Sequence, residues 1–184
     1  MQLEDSQTLP VPQAVAWAAL NDPELLRECI PGCESITPAD APAGERAYDV
    51  ALTAAIGPVK ARFTGTLRIT DIVEPTSYRL QFEAKASAGH GKGTASVTLA
   101  STGPAETRLD YDVQASVGGK LAQVGARLVD MAAQKMAGDF FERLTAVLAE
   151  RHAVAAEAPA EATAPAAGGV FARLVAWLRG LFGG

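Results

Sequence analysis

The sequence predicts an α+β domain in which a one-sided antiparallel sheet is covered by one long helix, followed by a spacer and a short amphipathic helix. Three observations carry this expectation. Apolar and polar residues alternate with a period of two in several stretches between residues 48 and 117. A stripe at helical spacing fills residues 120–151. At Ala153 the composition changes to Ala, Glu, Pro and Thr.

The elements follow in order. Residues 1–11 alternate weakly and read as a first strand. Pro12 suits the first position of a helix over 13–20, because its missing N–H would be unpaired there anyway. Asn21-Asp22-Pro23 stops that helix and caps a second, over 24–29, which Pro31-Gly32 ends. Tyr48, Val50, Leu52, Ala54 and Ile56 then share one strand face, and Gly57-Pro58 turns the chain. In the next strand Val59, Ala61, Phe63, Gly65, Leu67 and Ile69 oppose Lys60, Arg62, Thr64, Thr66 and Arg68. After a turn at Glu74-Pro75, Tyr78, Leu80, Phe82, Ala84, Ala86 and Ala88 oppose Arg79, Gln81, Glu83 and Lys85. A turn is expected at Gly89-His90-Gly91 and another at Thr102-Gly103-Pro104, with Ala95, Val97 and Leu99 facing inward between them. Leu109, Tyr111, Val113, Ala115 and Val117 form the last dry face, and Gly118-Gly119 ends the sheet. One dry face per strand means one covered side. The helix over 120–151 is the expected cover, through Leu121, Val124, Leu128, Met131, Ala132, Met136, Phe140, Leu144, Val147 and Leu148.

Composition bounds the function. The chain has 184 residues, 48% of them hydrophobic and 20% charged, which suits a globular domain with an appendage. The net charge of −5 and the lack of a basic–aromatic pattern argue against nucleic acid. Residues 1–150 carry 13 Lys+Arg against 19 Asp+Glu, whereas residues 151–184 carry three Arg and two Glu. The acidic start Met1-Gln2-Leu3-Glu4-Asp5 does not resemble an export signal, and no apolar run approaches the ~20 residues of a span. A cytoplasmic location with reduced cysteines is expected.

Few motifs suggest chemistry. Cys29-Ile30-Pro31-Gly32-Cys33 is spaced one residue too wide for a C-x-x-C redox pair. It has no set of partner ligands for a metal, because the only histidines are His90 and His152. Two small, partly buried thiols beside a Pro-Gly turn is the simpler reading. Residues 89–94 resemble a phosphate loop, but Ala86 stands where the first Gly belongs and Gly93 where Ser or Thr should follow Lys92. There is no G-x-S-x-G elbow. Glu83, Asp110 and Asp112 fall on wet strand faces, where solvated charge is the default. No catalytic residue and no metal site is assigned.

The inward positions say more. Ala54, Ala61, Gly65, Ala84, Ala86, Ala88, Ala95 and Ala115 are small, and Gly125 and Ala132 add small residues to the covering helix. Interiors are dense, so small linings leave either room for a ligand or a close helix–sheet approach. A ligand cavity would be lined by Phe63, Gly65, Tyr78, Phe82, Ala84, Tyr111, Leu121, Val124, Gly125, Leu128 and Met131.

Residues 153–168, with no aromatic side chain, are expected to be a disordered spacer. Over 170–182, Val170, Phe171, Leu174, Val175, Trp177, Leu178, Leu181 and Phe182 fall on one helical face and Arg173 and Arg179 on the other. Such a helix is about 20 Å long, too short to cross a bilayer but suited to its interface. Residues 169–184 therefore read as a membrane anchor; folding back on the domain or mediating oligomerisation are the alternatives.

The ordered set Trp17, Asn21-Asp22-Pro23-Glu24-Leu25, Cys29-Ile30-Pro31-Gly32-Cys33, Ile56-Gly57-Pro58-Val59, Phe63-Thr64-Gly65 and Gly119-Lys120-Leu121-Ala122-Gln123-Val124-Gly125 resembles the CoxG family, the G subunits of carbon monoxide dehydrogenase. That family belongs to the START-like, Bet v 1-like (SRPBCC) superfamily, and the resemblance covers about residues 1–150. It implies a helix-grip domain over 1–152, a curved antiparallel sheet wrapped around a long C-terminal helix and enclosing an apolar cavity. It also implies a non-enzymatic accessory role beside aerobic molybdenum carbon monoxide dehydrogenase or a related hydroxylase. The expected partners are that enzyme's subunits, the inner face of the cytoplasmic membrane, and a quinone or lipid. The expected ligand is a respiratory quinone, menaquinone or ubiquinone, with no covalently bound cofactor. A pure tether with a filled core and a cavity enzyme of the same superfamily are the competing readings.

Overall fold

In a computed structural model, which describes the backbone of residues 1–157 and the side chains of residues 1–152, the elements follow the expected order, with three main differences. Strand β1 (Gln2–Leu9) leads to helices α1 (Gln13–Leu20) and α2 (Pro23–Cys29). Strands β2 (Cys33–Ala39), β3 (Arg46–Ile56), β4 (Val59–Val73), β5 (Ser77–Ala86), β6 (Gly89–Gly103) and β7 (Glu106–Gly119) follow. Helices α3 (Lys120–Gln123) and α4 (Ala126–Glu157) close the order.

All seven strands form one antiparallel sheet in the order β1-β7-β6-β5-β4-β3-β2. Hairpin tips therefore alternate between two ends of the sheet. The turns at 57–58 and 87–88 share one end with α3, and those at 40–45, 74–76 and 104–105 share the other with α1 and α2. At the latter end Gln13 Nε2 donates to the carbonyls of Pro75 and Leu99, at 3.2 and 3.0 Å. Arg151 at the end of α4 pairs with Glu28 of α2 at 3.1 Å. The Asp22 carboxylate accepts from the Glu24 and Leu25 amides and starts α2.

The first difference is β2, which the sequence reading passes over. It is an edge strand with exposed Glu34, Thr37 and Pro38, so it has weak alternation and tolerates proline on its free side. The second is the turn expected at Gly89-His90-Gly91. The chain turns at Ser87-Ala88, and the glycines are strand residues of β6. They permit tight curvature. A Cβ on Gly93 would stand 2.4 Å from the Gln114 carbonyl oxygen, and one on Gly65 would stand 1.9 Å from that of Glu83.

The third difference is the expected continuous helix over 120–151. Gly125, at φ +93°, interrupts it and separates α3 from α4. The interruption resets the helical phase. Val129, Phe141, Leu144 and Leu148 are the buried residues of α4, whereas Leu128 and Met131, placed in the stripe by the sequence, are 37% and 56% exposed. Pro12 likewise caps α1 and is not its first residue, its carbonyl accepting from Val15 and Ala16.

Candidate functional site

The dry face of the sheet carries two separate buried clusters. The larger lies toward α1 and α2 and joins Leu9, Val11, Trp17, Leu20, Leu99, Leu109, Phe141, Leu144 and Leu148. Both predicted tyrosines belong to it. Tyr78 meets Trp17 edge-on at 5.5 Å, and Tyr111 stacks on Phe141 at 5.1 Å. The smaller cluster lies toward the 57–58 and 87–88 tips. It is built from Ala61, Phe63 and Leu121, with Leu52, Ala54, Ile56, Ala84 and Val117 around them. Leu121 reaches it because its amide bonds to the Ala88 carbonyl at 3.0 Å, which fastens α3 to the β5–β6 tip.

At the margin between the clusters lies a band of inward-facing residues that are only half-buried: Leu67, Leu80 and Val113, packed against the larger cluster, with Gly65, Phe82, Gly93 and Ala115 beside them. Positions in the middle of a covered sheet are ordinarily sealed. Here the first half of α4 contributes one fully buried side chain, Val129. The absence of a side chain on Gly93 makes room for Phe82, whose ring would lie 2.6 Å from a Cβ at that position. Leu128 lies across from the 57–58 tip, with its Cδ1 3.1 Å from where a Gly57 Cβ would stand.

The eleven predicted lining residues are thus divided. Phe63, Ala84 and Leu121 meet in the smaller cluster, and Tyr78 and Tyr111 in the larger. Gly65 and Phe82 lie in the half-buried band. Val124 and Gly125 form the helix break, and Leu128 and Met131 are on the exposed flank of α4. The sequence reading missed Val129 and Gly93. Strand parity pointed to Gly93, opposite Phe82, but its place among other glycines made it read as part of a turn. Val129 was concealed by the phase reset at Gly125.

Burial holds four titratable groups of the domain in their neutral forms. Burial pushes the Tyr78 phenol well above its ordinary value. Tyr111 rises as well, first through burial and then through the negative charge of nearby Asp5. Both remain neutral hydrogen-bond donors at physiological pH. Cys29 and Cys33 are free, and burial raises both thiols, so neither is an activated nucleophile. Among the described residues no group of three or more His, Cys, Asp or Glu could hold a metal ion. Nor is any described helix long and apolar enough to cross a membrane. A concavity of about 840 Å³ is lined by Thr66, Arg68, Gln81, Glu83, Lys92 and Gln114, and also by Phe82, Gly93 and Ala115 of the half-buried band. Polar and charged side chains dominate its lining, so it does not suit a wholly apolar ligand. Residues 153–157, expected to open the disordered spacer, instead continue α4, because their Ala-rich run suits a helix; the rest of that spacer, 158–168, and the tail helix expected over 169–184 lie outside the described residues.

Comparison with known proteins supplies a context for this geometry. Residues 6–149 match the family described as the carbon monoxide dehydrogenase G subunit (CoxG). The chain is similar to a solved conserved protein from Geobacillus kaustophilus, with 27% identity over 82% of this chain and 96% of that one, at a TM-score of 0.74. It shares its fold with the Zhui aromatase/cyclase from Streptomyces sp. R1128, at 13% identity over 85% of this chain and 98% of that one, with a TM-score of 0.61. A START superfamily protein from Mycobacterium smegmatis matches at 12% identity over 82% and 98%, also with a TM-score of 0.61. No curated protein sequence matches the chain. With a family match over most of its length, on a START-like, Bet v 1-like helix-grip fold, the chain belongs to the CoxG family of carbon monoxide dehydrogenase G subunits.

Proposed function

We propose that this protein is a non-catalytic accessory of an aerobic molybdenum carbon monoxide dehydrogenase or related hydroxylase. In this reading it carries a respiratory quinone, menaquinone or ubiquinone, at the inner face of the cytoplasmic membrane. The observation that carries the ligand half is the half-buried band between the two clusters on the dry face of the sheet. Gly65, Phe82, Gly93 and Ala115 give it width, and Leu67, Leu80 and Val113 give it apolar walls. An apolar guest there would remove water from surface that the protein alone leaves wet, at roughly 25 cal/mol per Å². Membership of the family supports the enzyme partner. The amphipathic pattern over 169–184 supports the membrane. Inert thiols and the lack of a metal-binding cluster among the described residues favour carriage over catalysis.

The test is extraction. Full-length protein is incubated with vesicles containing ubiquinone, the two are separated, and quinone in the protein fraction is measured. The expected result approaches one quinone per chain, with Ala115→Phe, which fills the band, taking up far less. Uptake no greater than that of an unrelated protein would refute the ligand half. Deletion of residues 169–184 should move the protein from the membrane to the soluble fraction of lysed cells; an unchanged distribution would refute the anchor.

A further inference from the structure

One end of the domain is net basic, with Glu34, Glu83 and Asp130 at its margin, while the rest is acidic. Residues 54–63, 84–94 and 114–129 carry six Lys or Arg and no Asp or Glu. The remainder of residues 1–150 carries seven against 19. The three segments are distant in sequence, yet the fold gathers them: they are the two hairpin tips and the helix break, joined by the Leu121–Ala88 hydrogen bond and by the approach of Leu128 to Gly57. All six cations, Lys60, Arg62, Lys85, Lys92, Lys120 and Arg127, are exposed. Arg62 pairs with Glu34 at 2.6 Å, and Lys85 stands 3.8 Å from Glu83. Lys60, Lys92, Lys120 and Arg127 form no ion pair with any described residue.

Two further features lie at this end. Leu128 and Met131, two of the domain's few exposed large apolar residues, stand beside Arg127. A concavity of about 390 Å³ is lined by Lys85, His90 and Lys120 together with the backbone of the β5–β6 tip. Cations interspersed with exposed apolar side chains, around a basic depression the size of a headgroup, match the interface of an anionic leaflet. A protein partner would need an apolar patch ringed by acidic residues, whereas an anionic leaflet presents both layers over its whole surface.

We infer that the end of the domain formed by the 57–58 tip, the 87–88 tip and the α3–α4 break is a second lipid-contact surface, specific for anionic phospholipid and independent of the tail. The inference rests on the membrane half of the proposed function and refines it. Net charge then orients the domain, since its acidic remainder is repelled from the same surface.

The test uses full-length protein and two vesicle types, pure phosphatidylcholine and phosphatidylcholine with phosphatidylglycerol. The quantity read is the ratio of the two partition coefficients. Each basic residue near an anionic surface is worth roughly a fivefold change in partitioning, so K60E/K92E/R127E should lower the ratio at least about tenfold. A tryptophan placed at the exposed Met131 (M131W) should gain quenching by brominated lipid over the wild-type signal. The tail variant L174E/L178E should weaken binding to both vesicle types and leave the ratio near that of the wild type. Failure of the tail reading would show as no effect of L174E/L178E, with the charge-reversal result intact. The inference is overturned if the triple variant keeps the wild-type ratio, or if M131W shows no added quenching. It is also overturned if the triple variant keeps its vesicle binding and instead loses binding to the purified molybdenum enzyme, which would make the surface a protein-docking site.

Discussion

The two halves of the dry face belong to one sheet and differ in how they are filled. Toward α1 and α2, large side chains from five elements interlock: Leu9, Trp17, Tyr78, Leu99 and Leu144 are almost completely buried. Toward the 57–58 and 87–88 tips, only Ala61, Phe63, Leu121 and Val129 reach that state. The band between holds glycine, alanine and half-covered aliphatics. The lesson is a division of labour within one sheet: one end supplies folding energy, and that allows the other to stay underfilled. A protein whose whole face was packed like the α1 end would be more stable and would leave no room for the proposed guest.

That comparison can be broken by substitution. The largest effect is expected from Leu144→Ala, at a fully buried position in the packed end. It should cost about 2–5 kcal/mol in denaturant unfolding, through lost transfer energy and the cavity left behind. Next is Gly65→Ala, where the new methyl meets the backbone of Glu83 and Ala84 and not a flexible side chain. A loss of about 1–3 kcal/mol is expected. If Gly65→Ala were neutral, the sheet would have more slack than its curvature implies.

The third expectation concerns pH. The phenol of Tyr78 is raised by burial above its ordinary value of 10.0, so the folded state keeps a proton that the unfolded chain gives up. Stability from this group is complete below about pH 10 and is lost as pH rises toward the folded-state value. The slope is at most about 1.4 kcal/mol per pH unit. Cys29 and Cys33 act in the same direction from their ordinary value of 9.0. Tyr78→Phe should flatten the alkaline limb of a stability–pH curve, and an unchanged limb would place the burial elsewhere. The smallest effect on stability is expected from Met131→Ala. At 56% exposure it should change unfolding by less than about 0.5 kcal/mol. If Met131→Ala instead destabilised as much as Leu144→Ala, the two ends would not differ in the way described.

Strand positions were legible wherever one face is wet and the other dry, as in β4, where Lys60 to Arg68 and Val59 to Ile69 separate cleanly. The strand β2 was not, because an edge strand with exposed Pro38 carries little alternation. The glycines of β6 misled for a physical reason: the same residue serves turns and close strand approach, and only the register with β7 distinguishes them. The site was half legible. Parity identified which residues face inward, including Phe63, Phe82 and Tyr78, but parity says nothing of how completely they are covered. That depends on where α4 passes, and Gly125 moved its phase so that Val129 and not Leu128 is buried. The basic end was invisible in the sequence because its six cations come from three separated segments of an acidic domain.

The most direct test of the division of labour is native mass spectrometry of full-length protein purified from membranes without detergent exchange. A carrier should show, beside the bare chain, a species heavier by the mass of one isoprenoid quinone, and that species should be lost in Ala115→Phe while the protein stays folded. A spectrum with only the bare chain, from cells containing quinone, would contradict the claim that the underfilled half of the sheet exists to hold an apolar guest.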